Sequence, residues 1–182
     1  MLSKAKQQTA FEALSEQFGY TSRMQAPRVL KVVVSSGVGK KRDKKQIDLI
    51  TERLARITGQ QPSPRAARIS IASFKVREGD TVGLQVTLRG ARMFDFLDKL
   101  IHIALPRTRD FRGLAPTAID DMGNLTVGIK EHTIFPETSD EDLKDVFGLA
   151  VTVVTTAKSK KEADAFFRHL GVPLRSSEAS KK

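Results

Sequence analysis

Apolar positions recur with a helical period over residues 3–18, where Phe11, Leu14 and Phe18 fall three and four apart and Gly19 supplies the stop. Residues 28–36 (RVLKVVVSS) are β-branched and strand-like, ending at Gly37. Asp43 can cap a helix running to about residue 58, with Ile47, Ile50, Leu54 and Ile57 on one face and Gly59 beyond its end. Pro62 and Pro64 interrupt residues 61–68, so a strand there lies at a sheet edge or starts late. Residues 82–88 alternate, with Val82, Leu84, Val86 and Leu88 directed inward. The strongest helical stripe spans residues 91–104, carried by Phe94, Leu97, Leu100, Ile101 and Ala104, with Pro106 after it.

Residues 107–116 then read as a loop containing Gly and Arg, and 125–130, 133–135 and 149–155 as strands. The acidic stretch 137–145 has room for one helical turn. Ser159 and Glu162 have capping-box spacing and open a helix to Leu170, stopped by Gly171 and Pro173. Residues 176–182 are a polar tail expected to be disordered. Strands and helices mixed without a βαβ rhythm predict an α+β fold. We expect a mostly antiparallel sheet, helices packed mainly on one face, and a protruding basic hairpin loop, all in one domain over residues 1–175.

Charge changes the picture most. The 182 residues carry +10 overall, and the excess is uneven: residues 1–115 hold 22 basic and 10 acidic side chains, the remainder 9 and 11. Such a chain reads as a polyanion binder with a second, electrically different face. Cysteine is absent, which excludes thiol catalysis, cysteine-type zinc sites and iron–sulfur chemistry, and fits a reducing cytoplasm. His102, His132 and His169 are too scattered to suggest a metal site. No apolar run approaches the roughly 20 residues that span a bilayer, and residues 1–10 are too polar for a signal peptide.

Gly37-Val38-Gly39-Lys40-Lys41 follows a strand and precedes a helix, but Val34 stands where a Walker loop needs its first glycine and Lys41 where it needs Ser or Thr. Arg42 likewise occupies the third glycine position of a dinucleotide loop. What remains is a turn leading into Lys40, Lys41, Arg42, Lys44 and Lys45, suited to nucleic-acid phosphates or to bare solvent. Asp120 and Asp121 look like turn residues rather than an acid–base or metal pair. Nothing pairs a nucleophile with a base, so the chain does not read as an enzyme, and no cofactor is implied. Residues 65–92 hold Arg65, Arg68, Lys75, Arg77, Arg89 and Arg92 against Glu78 and Asp80. Ile69, Ile71 and Phe74 lie among them, either exposed to a folded RNA or finishing a hairpin core.

Several strings in order then become specific. Residues 70–79 (SIASFKVREG), 86–93 (VTLRGARM), 105–113 (LPRTRDFRG), 128–131 (GIKE) and 134–137 (IFPE) resemble the bacterial large-subunit ribosomal protein number five family. Gly37-Val38-Gly39, Ile57-Thr58-Gly59-Gln60 and Val154-Thr155-Thr156-Ala157 fit the same family, from about residue 18 to 173. The chain differs from the family's usual Asn-Met at Ser35-Ser36, from its Gly, Arg and Tyr at Asp121, Met122 and Leu125, and from its frequent Lys or Arg at Asp142, Asp145 and Phe147.

The resemblance implies a non-enzymatic, cytoplasmic ribosome component in the central protuberance of the large subunit. Its partners would be 5S rRNA, 23S rRNA, peptidyl-site tRNA, other 5S-binding ribosomal proteins and a small-subunit head protein, with no membrane. The 5S rRNA set comprises Ser35, Gly37, Gly39, Lys40, Lys41, Gln60, Arg65, Thr87, Arg89, Gly90 and Arg92. A tRNA-contacting loop over residues 69–83 would use Arg68, Ser73, Phe74, Lys75, Arg77 and Gly79. Arg109, Arg112, Asp140, Asp142 and Asp145 would form an intersubunit contact. The alternative is a non-ribosomal basic RNA-binding or RNA-chaperone protein.

Overall fold

The computed structural model describes residues 2–39, 44–109, 111–138 and 146–175. Among these, helices α1 (Leu2–Phe18), α2 (Lys44–Thr58), α3 (Gly90–Lys99) and α4 (Lys160–Leu170) accompany strands β1 (Val29–Gly37), β2 (Ser63–Ala66), β3 (Thr81–Leu88), β4 (Leu125–Ile129) and β5 (Leu149–Thr155). The strands form one antiparallel sheet in the order β2-β3-β1-β5-β4, so the expected α+β class holds. The chain divides into two compact units: Met1–Val32 with Arg89–Val127 and Thr152–Lys182, and Val33–Leu88 with Gly128–Val151.

In the first unit, α1 packs against α3 and α4. Its core gathers Leu14, Phe96, Leu97, Ile101, Phe166, Phe167 and Leu170, each at most 5% exposed. Polar ties also fasten α1, among them the Ser3 amide and hydroxyl, which donate to Asp98 Oδ1 at 2.8 and 2.5 Å, and Lys6 Nζ, which donates to the Leu170 carbonyl at 3.1 Å. The apolar stripe of α3 runs past Lys99, as its spacing predicts, but the winding changes. Residues 100–104 form a π-turn, closed by the Leu105 amide on the Leu100 carbonyl at 2.9 Å. That turn keeps Leu100, Ile101 and Ala104 buried while His102 and Ile103 face outward.

In the second unit, the inward residues Val34, Leu84, Val86 and Leu88 are covered by a core containing Ile50, Leu54 and Ile57 of α2. β2 lies at the edge and pairs antiparallel with β3, Ser63 opposite Gln85 and Arg65 opposite Gly83. The register slips between Arg65 and Ala66, which leaves Val82 unmatched and only half-buried rather than inward. Gly83, inside β3, lies close to β1: a Cβ there would be 3.3 Å from the Ser36 carbonyl oxygen.

Residues 133–135, expected as a strand, instead belong to a 3₁₀ turn over His132–Ile134 and its C-cap Phe135. Ile134 and Phe135 are consecutive and both buried, which a period-two strand cannot achieve. His132 is fully buried there and stacks on Phe147, ring centroids 4.2 Å apart.

Candidate nucleic-acid interface

The alternation along β1 and β3 decides which side chains face away from α2. Ser36 is buried and donates its hydroxyl to the Gly148 carbonyl at 2.8 Å, so it serves the fold. Its neighbour Ser35 lies on the opposite face and is half-exposed, as are Gln85 and Thr87 on β3. Gln60 follows the end of α2 and donates its side-chain amide to the Thr87 carbonyl at 3.4 Å, which ties it to the end of β3. Arg65 crosses from β2 to give its Nε–H to Gln85 Oε1 at 2.7 Å. The second unit thus gathers Ser35, Gln60, Arg65 and Thr87 around a polar strand surface with exposed Gly37 at one strand end.

Arg89, Gly90 and Arg92, in the first unit, are all exposed. Arg89 is the N-cap of α3 in extended conformation, and no side chain caps this helix. Its first-turn amides are thus left for solvent or an anion, between two guanidinium-bearing residues. Gly90 has φ +62°, a conformation that strains any side-chain-bearing residue. An uncapped helix start flanked by arginines suits a phosphate oxygen.

The connection from β2 to β3 is a hydrogen-bonded extension of their hairpin. The Ala67 amide meets the Asp80 carbonyl at 2.8 Å, and Ile71 and Val76 exchange both backbone hydrogen bonds at 2.9 and 3.2 Å. Asp80 accepts the Arg77 amide on Oδ2 at 2.9 Å, and Ser70 Oγ accepts the Glu78 amide at 2.9 Å. Arg68, Ser73, Phe74, Lys75, Arg77 and Gly79 are all exposed. Phe74 is 71% exposed, so it does not finish a hairpin core. Lys75 holds φ +52°, alone among the described residues other than glycine in having positive φ.

Arg109 and Arg112 are exposed in the first unit, and Arg175 donates its Nε–H to the Arg112 carbonyl at 3.1 Å. Lys40, Lys41, Asp140, Asp142 and Asp145 lie outside the described residues, as do Asp43 and the tail 176–182. Gly39 is half-buried, close to the Val82 carbonyl. Asp120 is the turn residue that its sequence context predicts. The Asn124 backbone N–H, 2.6 Å away, holds its carboxyl below the ordinary range, helped by the Asn124 side-chain amide. Among the described residues, no group of His, Asp or Glu is placed to hold a metal ion, and no helix is long and apolar enough to cross a membrane.

Known proteins resemble this chain over most of its length. The family profile described as Ribosomal protein L5 matches residues 22–77, and the profile for the C-terminus of the same ribosomal protein family matches residues 81–174. The large ribosomal subunit protein uL5 of Anaeromyxobacter sp. (strain K) is 49% identical over 163 residues, 89% of this chain and 91% of that one. The protein of the same name from Rubrobacter xylanophilus is 51% identical over 164 residues, 90% and 91% of the two chains. That from Microcystis aeruginosa is 43% identical over 175 residues, 96% and 98%. These relatives are ribosomal proteins and not enzymes. With both profiles matched in order and such identity over nearly the whole length, the chain belongs to the uL5 family of large-subunit ribosomal proteins.

Proposed function

We propose that this protein binds 5S rRNA and helps attach it, with 23S rRNA, in the central protuberance of the large subunit. The observation that carries this reading is the exposed pair Arg89 and Arg92 at the uncapped start of α3, within the stretch of chain that holds all of the net positive charge. Guanidinium groups and helix-start amides neutralise phosphate and fix register on a folded RNA. Ser35, Gln60 and Thr87 add hydroxyl and amide groups that can meet ribose 2′-hydroxyls. Stripping 5S rRNA from purified large subunits tests it. The protein should leave with 5S rRNA; retention on the 23S core would refute the assignment.

Two further contacts belong to the same reading. The tip between β2 and β3, with Arg68, Lys75 and Arg77 exposed, touches tRNA in the peptidyl site. Glu137, Asp140, Glu141, Asp142 and Asp145 crowd five acids into nine residues, which repels rRNA and favours a basic protein of the small-subunit head. Asp142→Lys with Asp145→Lys should weaken subunit joining at low salt and spare 5S rRNA binding. Unchanged joining would leave that stretch a solvated loop.

A further inference from the structure

The tip between β2 and β3 divides its apolar residues between two tasks. The Ile71–Val76 bridge closes a four-residue turn, and Val76 is half-buried, lining a cleft with Val38, Ile47 and Val82. Val76 is thus the anchor. Phe74 and Ile69, 71% and 72% exposed, are not. The turn carrying Phe74 is nevertheless fixed: the Lys75 amide donates to the Ala72 carbonyl at 3.0 Å, and Lys75 adopts the left-handed conformation that closes it. An exposed ring on a hydrogen-bonded turn can meet a partner at little ordering cost.

We propose that Phe74 is a stacking residue, laying its ring on the exposed face of a nucleobase of the bound tRNA. This rests on the tRNA reading of the tip. Arg68, Lys75 and Arg77 are exposed on this tip beside the exposed acids Glu78 and Asp80, which leaves residues 68–80 with a small net positive charge, and the Asp80 carboxylate accepts the Arg77 amide. That charge favours an RNA over an apolar pocket on another protein. Stacking also suits a site that meets successive tRNAs, because every base has a π-face and the contact reads no sequence. Phosphate contacts from Lys75 and Arg77 would then hold the strand while Phe74 supplies the salt-insensitive part.

The test measures dissociation of deacylated tRNA from the peptidyl site of ribosomes carrying full-length variants. Phe74→Ala should speed dissociation by about 5- to 150-fold, the range for losing one base–aromatic stack. Phe74→Trp should dissociate no faster than the parent, and Phe74→Leu should resemble Phe74→Ala. The Phe74→Ala effect should persist as salt rises, whereas that of Lys75→Ala with Arg77→Ala should fade. Parent-like behaviour of Phe74→Leu would overturn stacking. A silent Phe74→Ala beside an active Lys75/Arg77 double variant would overturn it and leave the tRNA reading standing. If both are silent, the tRNA reading falls as well. A lowered Tm of isolated Phe74→Ala would mean a packed ring, and a defect confined to subunit joining would mean a protein contact; either contradicts the proposal.

Discussion

Tyr20 donates its phenolic hydroxyl to Glu162, 142 positions further along the chain. The other oxygen of that carboxylate accepts the Lys158 amide at 2.7 Å, and Ser159 Oγ accepts the Glu162 amide at 3.3 Å. The capping box at the start of α4 is therefore displaced by one residue: Glu162 reaches back to Lys158 rather than to Ser159. Glu162 is only 7% exposed, so its charge is satisfied by these donors rather than by water.

Tyr20→Phe removes one donor to that carboxylate and should cost about 1.5–3 kcal/mol, read by urea unfolding at neutral pH. Burial, then the hydrogen bond to Glu162 and its negative charge, push the Tyr20 phenol well above the ordinary tyrosine value. The folded chain holds this proton more tightly than the unfolded chain does. The contribution is thus complete below about pH 10 and is lost as pH rises further. Ultraviolet titration should find the phenol protonated beyond the usual tyrosine range until the fold gives way.

Asp98 works in the opposite direction. Burial alone would raise its pKa, but hydrogen bonds from the Ser3 hydroxyl and amide outweigh burial and lower it. Its contribution is present above the unfolded carboxylate value near 4 and disappears as pH falls through the lower folded value. Asp98→Asn should cost about 1 kcal/mol at pH 7, loosening α1 from α3, with the difference from the parent shrinking in acid. A stability gap independent of pH would contradict the role given to Ser3.

Much of this architecture is legible in the sequence because local signals carry it. The stripe of α2, the alternation at Leu84, Val86 and Leu88, and the stop at Gly171, which takes φ +95°, all follow from periods and turn chemistry. What escapes is set by partners remote in the chain. The π-turn at 100–104 leaves the apolar stripe unbroken, so spacing cannot reveal it. The role of Gly83 depends on the Ser36 carbonyl across the sheet. At the candidate site, the exposed arginines of residues 89–92 are readable from charge, whereas the exposure of Phe74 depends on Val76 taking the anchoring position.

Phe147 illustrates the same point. Here it is 5% exposed and lies nearly parallel to the buried His132 ring, at an interplanar angle of 12°. Its backbone amide and carbonyl also face His132, with the His132 amide donating to the Phe147 carbonyl at 3.1 Å. Phe147→Ala should cost about 3–5 kcal/mol through the cavity it leaves. Phe147→Lys should cost at least as much, since a lysine there must bury its stem and charge beside His132. Thermal unfolding of the two variants checks both values.

The most direct measurement is equilibrium binding of the purified protein to 5S rRNA across a salt series, beside an unrelated structured RNA of equal length. The account predicts a preference for 5S rRNA and a linear fall of log affinity with log salt, with a slope of about −0.7 to −0.9 per phosphate contact. Arg89→Ala with Arg92→Ala should weaken binding by roughly 1–3 kcal/mol per lost charge-assisted contact and flatten the slope by about two contacts. Equal affinity for both RNAs, or affinity indifferent to salt and to the loss of both arginines, would contradict it.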